Sequence, residues 1–178
     1  MRHLAGGLRQ NLTARRSVFW ARTLLLNQIA QLLPEANILL DLEATSKKRL
    51  FEQVGQLFED QAQIARSVVF DSLFAREKLG STGLGQGIAI PHGRIRGLAH
   101  PLGAFVRPRQ PIPFDAPDGK PVGQIFVLLV PEHATEEHLQ LLSELAEMFS
   151  ERIFRDQLAV ASDPASLHRL FCAWESAA

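Results

Sequence analysis

The residues able to do chemistry in this chain of 178 gather in one stretch. Arg76 and Lys78 lead into Gly80, Ser81, Thr82, Gly83, Gly85 and Gly87, and then into Pro91, His92 and Gly93. A neutral imidazole has a free nitrogen lone pair near pH 7, so His92 can accept a phosphoryl group in an N–P bond that stays reactive enough to pass it on. Such a transfer needs positioning and charge stabilisation more than bond-making machinery, and Arg76 and Ser81 could supply both. The amides of Ser81, Thr82, Gly83, Gly85 and Gly87, little shielded by side chains, can form a concavity for an anion. Pro91 fixes the backbone before His92, and Gly93 is expected to leave the ring open to approach. The competing reading of His92 is a structural histidine capping a strand end.

Other chemistries lose their motifs. A dinucleotide fingerprint starting at Gly83 or Gly85 requires Gly or Ala at positions occupied by Ile88 and Ile90, and the Gly-Lys pair at Gly119 and Lys120 is followed by Pro121, not by the Ser or Thr of a phosphate-binding loop. His133 and His138 stand five apart, which breaks the His-Glu-x-x-His zinc pattern. Cys172 is the only cysteine, so an internal disulfide and a multi-cysteine zinc site are both excluded, and a reducing compartment is the natural setting. We expect no metal and no cofactor. His138 is the second histidine of interest. It lies in the first turn of a predicted helix, where the positive end of the helix dipole disfavours imidazolium and keeps an N–H available for a phosphoryl oxygen; the alternative is a residue at the boundary of an amphipathic face. His3, His100 and His168 read as solvated or locally structural.

These groups must be held by a fold, and the hydrophobic periodicity suggests which. Leu50, Phe51, Val54, Leu57 and Phe58 mark one face of a helix capped by Thr45 or Ser46, and a second helix is expected after Ser67, with Val69, Phe70, Leu73 and Phe74 apolar and Gly80 ending it. A third begins near Thr135 and carries His138, Leu141, Leu142, Leu145 and Phe149 on one face. Two further helical segments are predicted at 156–160 and 166–174, the latter opened by Asp163 and Pro164. Strands are expected at 37–42, 88–90, 103–106 and 124–130, the last buried on both faces. The glycines between 80 and 87 read as a flexible loop, and the five prolines from Pro108 to Pro121 as an irregular connection. The sum is a single α/β domain with a mixed central sheet.

Nineteen basic and nineteen acidic side chains leave no net charge, so nothing points to nucleic acid or to an acidic membrane surface. The apolar run 125–130 is far shorter than the roughly 20 residues that span a bilayer, and no membrane insertion is expected. Residues 1–34 hold Arg2, Arg9, Arg15, Arg16 and Arg22 and no carboxylate. Segment 1–26 therefore reads as a basic, disordered extension, and 27–178 as the folded domain.

The run 76–93, Arg-Glu-Lys-Leu-Gly-Ser-Thr-Gly-Leu-Gly-Gln-Gly-Ile-Ala-Ile-Pro-His-Gly, closely resembles the nitrogen-regulatory IIA proteins of the bacterial phosphotransferase system. The resemblance continues through 111–116, Pro121 and Val122, 126–131, and His138 and Leu139, covering 27–174. It implies a fold like the mannitol and fructose IIA domains: about five strands in a mixed sheet with helices on both sides. It also implies a cytoplasmic phosphocarrier in which His92 takes phosphoryl from an HPr-like carrier, with His138 as its partner and Arg76 as the nearby cation. Signalling would run through phosphorylation-dependent binding to potassium transport proteins, sensor kinases or other regulators. Two alternatives remain: a binding module of the same fold without phosphorylation, and a sugar-uptake IIA working with a separate IIB. Relatives of this kind start near the equivalent of Leu26, so 1–25 stand either as an added arm or as residues upstream of the native start.

Overall fold

The computed structural model describes residues 27–133 and 136–176; the expectations for 1–26 and for Thr135 fall outside that range. In chain order the elements are α1 (Gln28–Leu32), β1 (Ile38–Leu42), α2 (Lys47–Ala62), α3 (Arg66–Lys78), β2 (Gly83–Gly85), β3 (Ile88–Ala89), β4 (His92–Ile95), β5 (Leu102–Pro108), β6 (Gln124–Pro131), α4 (Glu136–Ser150), α5 (Arg152–Val160) and α6 (Pro164–Ala173). Side-chain oxygens fix several helix starts by accepting otherwise orphaned amides. Asn27 Oδ1 accepts from Ala30 N, Ser46 Oγ from Arg49 N, and Asp163 Oδ1 from Ser166 N. The second predicted helix starts earlier than Ser67: α3 begins at Arg66, whose amide donates to the Glu59 carboxylate of α2.

The sheet is mixed and has six strands where about five were expected. β1 runs parallel to β5, β5 antiparallel to β6, and β6 parallel to both β3 and β4, while β2 closes an antiparallel hairpin on β3. Alternation along β6 divides the interior in two. Phe126, Leu128 and Val130 pack under α1, α4, α5 and α6, whereas Ile125, Val127 and Leu129 pack under α2 and α3. A central strand buried on both faces, with helices on both sides, was the sequence expectation, and it holds. Of the four apolar residues expected in this helix, Val69 and Leu73 are fully buried, while Phe70 and Phe74 are half-buried against the same core and stack on each other at 5.3 Å.

The glycine-rich stretch is a hairpin where a flexible loop was expected. Gly85 pairs with Ile88 across Gln86 and Gly87, both at positive φ (58° and 77°), the backbone that a tight hairpin turn requires. β3 and β4 then form one line along β6 without a slip in register, Ala89 opposite Ile125 and His92 opposite Leu128. The line is interrupted because Pro91 has no N–H and Ile90 donates its own to Thr82 O, although Pro91 O still accepts from Leu128 N at 2.9 Å.

Candidate functional site

His92 is the first residue of β4, after the proline break, and its side chain is half-buried. Strand alternation puts His92 and Arg94 on one face and Gly93 and Ile95 on the other. Gly93 does not serve the open approach expected of it. It is buried, and a Cβ there would fall 2.3 Å from Ser72 Oγ and 3.1 Å from Ser72 Cβ, so its lack of a side chain is what lets α3 lie close on β4. Ser72 Oγ then donates to Arg94 O at 2.9 Å. One helical turn further along α3, Arg76 reaches His92 from the same layer. His138, in the first turn of α4 and 8% exposed, approaches from the opposite layer, its ring centroid 5.3 Å from that of His92 at an interplanar angle of 70°.

Two contacts agree on the position of one proton. His92 Nδ1 lies 2.9 Å from Ile90 O, a pure acceptor, so Nδ1 carries the hydrogen. Arg76 Nε, a pure donor, lies 3.2 Å from Nε2, which must therefore offer its lone pair. Arg76 Nη1 is tied to Gly80 O at 2.9 Å, and this anchors the guanidinium. Burial lowers the pKa of His92 below the ordinary 6.5, and the Arg76 charge lowers it further, against the Ile90 carbonyl and Glu77. His138 is lowered too, first by burial and then by His92, Arg94 and Arg76. Both rings are thus held neutral. His138 Nε2 is buried with no partner among the described residues.

The structure brings His92, Arg76 and His138 together, while the remaining sequence candidates make their contacts with other parts of the protein. Ser81 Oγ donates to Phe114 O and accepts from Gly83 N. The Thr82 amide and hydroxyl both donate to the Glu77 carboxylate. Gly83 packs against Ala116, and Gly85 lies against Asp118, which accepts from Gln86 N. Gly87 O accepts from Gly123 N and Gln124 N. The amides of Thr82, Gly83 and Gln86 are therefore already bonded within the protein and do not form an open nest.

Sequence reasoning missed two charges at the site. Arg94 shares the His92 face through the two-residue period of a strand, a signal that was present. Glu77, only 8% exposed, reads in sequence as a solvated charge at a helix end and offered no such signal. Among the described residues no cluster of three or more His, Cys, Asp or Glu side chains is arranged to hold a metal ion, and no helix is long and apolar enough to cross a membrane.

This architecture belongs to a known class. The profile described as phosphoenolpyruvate-dependent sugar phosphotransferase system, EIIA 2, matches residues 31–173, and the chain belongs to that family, whose members are components of a phosphoryl-transfer system. Within the family its similarity runs to nitrogen-regulatory members. It is 43% identical over 144 residues to the nitrogen regulatory protein of Pseudomonas aeruginosa, covering 80% of this chain and 94% of that one. The crystal structure of nitrogen regulatory protein IIA-Ntr from Neisseria meningitidis superposes with a TM-score of 0.77 at 54% identity, over 80% of this chain and 98% of that chain. IIA mannitol from Escherichia coli shares the fold, with a TM-score of 0.65 at 19% identity over 78% of this chain and 97% of that chain.

Proposed function

We propose that this protein is a phosphohistidine carrier and regulator, in which His92 Nε2 accepts a phosphoryl group from an HPr-like donor and the phosphorylation state controls binding to regulatory partners. The observation that carries this reading is the pair of contacts that keep the hydrogen on Nδ1 and leave Nε2 an unprotonated acceptor, beside the Arg76 guanidinium and a second neutral histidine. As the Arg76 Nε–H turns from Nε2 to a phosphoryl oxygen, the freed Nε2 lone pair forms its bond to phosphorus, the donor's N–P bond breaks and its electron pair returns to the donor ring. The proton stays on Nδ1, where Ile90 O supports the positive charge that develops on the His92 ring. Arg76 faces the incoming dianion, Arg94, whose Nη1 donates to Glu132 O, adds positive charge on the same strand face, and the unpartnered Nε2 of His138 can donate to a phosphoryl oxygen. The nitrogen-regulatory names of the relatives favour a regulatory role; potassium transport proteins and sensor kinases as binding partners, in a cytoplasmic setting, belong to the same proposal and follow from the resemblance of the 76–93 run. Similarity to the fructose-specific EIIA component of Haloferax volcanii, 34% identical over 134 residues, keeps sugar uptake with a separate IIB as the second reading.

The test is incubation with phosphoenolpyruvate, the first relay enzyme and an HPr-like carrier, followed by intact mass. A gain of one acid-labile phosphoryl group, absent in His92→Ala, is expected. No gain in the wild-type protein would leave a binding module of the same fold. Continued labelling of a folded His92→Ala chain would remove His92 from its role.

A further inference from the structure

A circuit of hydrogen bonds closes behind the His92 ring. Glu77 follows Arg76 at the end of α3, and its side chain is only 5% exposed. Its carboxylate accepts from Thr82 N at 3.1 and 3.3 Å, from Thr82 Oγ1 at 2.6 Å and from Lys47 Nζ at 3.2 Å. Thr82 O accepts from Ile90 N at 3.1 Å, Ile90 O holds His92 Nδ1, and His92 Nε2 takes the Arg76 Nε–H, which returns the circuit to the residue beside Glu77. Lys47 is itself fixed by Asp115 and Phe114 O, with its ammonium 5.1 Å from the centre of the Phe114 ring.

We propose, resting on the reading of His92 as phosphoryl acceptor, that Glu77 is a positioning residue: through Thr82 and Ile90 it decides which nitrogen of His92 carries the proton, and through the end of α3 it sets Arg76 against the other. A carboxylate removed from water is costly unless its oxygens are saturated, and here they are saturated by the residues that lead to Ile90 and by Lys47. Groups that orient a reacting histidine through its far nitrogen set its tautomer and basicity. Without Glu77, the Thr82 amide and hydroxyl lose their acceptor and the backbone holding Ile90 is free to shift. Nδ1 then loses its carbonyl, and the tautomer with hydrogen on Nε2 gains. That tautomer blocks the attacking lone pair and sets a second donor against Arg76 Nε–H.

Ring nitrogen-15 shifts of His92, read beside transfer rate, test this in Glu77→Ala, Glu77→Gln and Thr82→Val. The wild-type ring is expected to be a single Nδ1–H tautomer. Glu77→Ala should give a mixture and slow phosphoryl acceptance by about tenfold to a hundredfold, the range for a small misplacement of reacting groups. Glu77→Gln keeps an acceptor oxygen for Thr82 and should recover part of both readouts, while Thr82→Val should lose part of both. Variants that are destabilised but keep the single tautomer and the wild-type rate would overturn the proposal, making Glu77 a structural pin. If Glu77→Ala does not fold, the other two variants carry the same decision. If the wild-type protein accepts no phosphoryl group, the functional reading fails, yet the tautomer comparison still decides the part played by Glu77.

Discussion

His92 and His138 resist protonation together, and this has two consequences that pH can expose. Each has a folded-state pKa below the ordinary 6.5, so the unfolded chain binds protons that the folded chain refuses. Stability from these groups is fully present above about pH 6.5 and is lost as pH falls through the folded values. Denaturant titrations between pH 7.5 and about 5 should show this loss, reduced in a His92→Ala and His138→Ala double variant. Phosphoryl acceptance should be flat near neutrality and decline only on the acid side, because Nε2 keeps its lone pair at pH 7. His138→Ala removes a donor and leaves the nucleophile, so rapid-quench labelling should find His92 still charged, with a rate lower by about a hundredfold. An unchanged rate would return His138 to packing alone. His92 and Arg76 were legible as candidates because imidazole and guanidinium flank one glycine-rich stretch, and His138 because it falls in the first turn of a predicted helix; each kept a structural alternative until the fold brought the three together. The Nδ1–H tautomer was not legible, since it depends on a carbonyl two residues back in a strand whose bend only the fold reveals.

The contact between α3 and β4 depends on a missing side chain. Gly93→Ala would drive Cβ into Ser72, whose Cβ stands 3.1 Å and backbone carbon 3.3 Å from the new atom, so the helix must shift outward. Urea unfolding should show a loss of about 1–3 kcal/mol, the usual range for overpacking. Adding Ser72→Gly should recover much of it, with a double-mutant cycle giving the coupling. Because Arg76 lies one turn beyond Ser72 on α3, the single variant should also slow labelling, and loss of stability without any change in rate would separate the helix contact from the site. Helices and the central strand were readable from apolar periods in 50–58, 141–149 and 125–130. The hairpin at Gly83–Ile88 was not, because its glycines carry no period and its register comes from Gln86 and Gly87 at positive φ and from Asp118, distant in sequence.

Taken together, the described residues form one sheet between two helix layers, and the His92 ring stands where both layers meet β4. Asn27 closes the near end: besides capping α1, its Nδ2 donates to Phe171 O at 2.7 Å and to Trp174 O at 3.1 Å, joining the start of the described chain to α6. A chain beginning at Asn27 is therefore expected to fold and to accept phosphoryl like the full chain, with thermal melts differing by less than about 1 kcal/mol; a larger difference would mean that 1–26 contribute to the body. The register of His92 opposite Leu128, with His138 beyond it on α4, also bears on biosynthesis. Ribosomes deliver the chain from its N-terminus, so the histidine emerges well before the strand that straightens its backbone and the helix that brings its neighbour. On the reading of His92 as acceptor, a nascent or truncated product ending before α4 displays the glycine-rich motif without the second histidine, so a donor would meet at best a slow target until Glu136–Ser150 has been made.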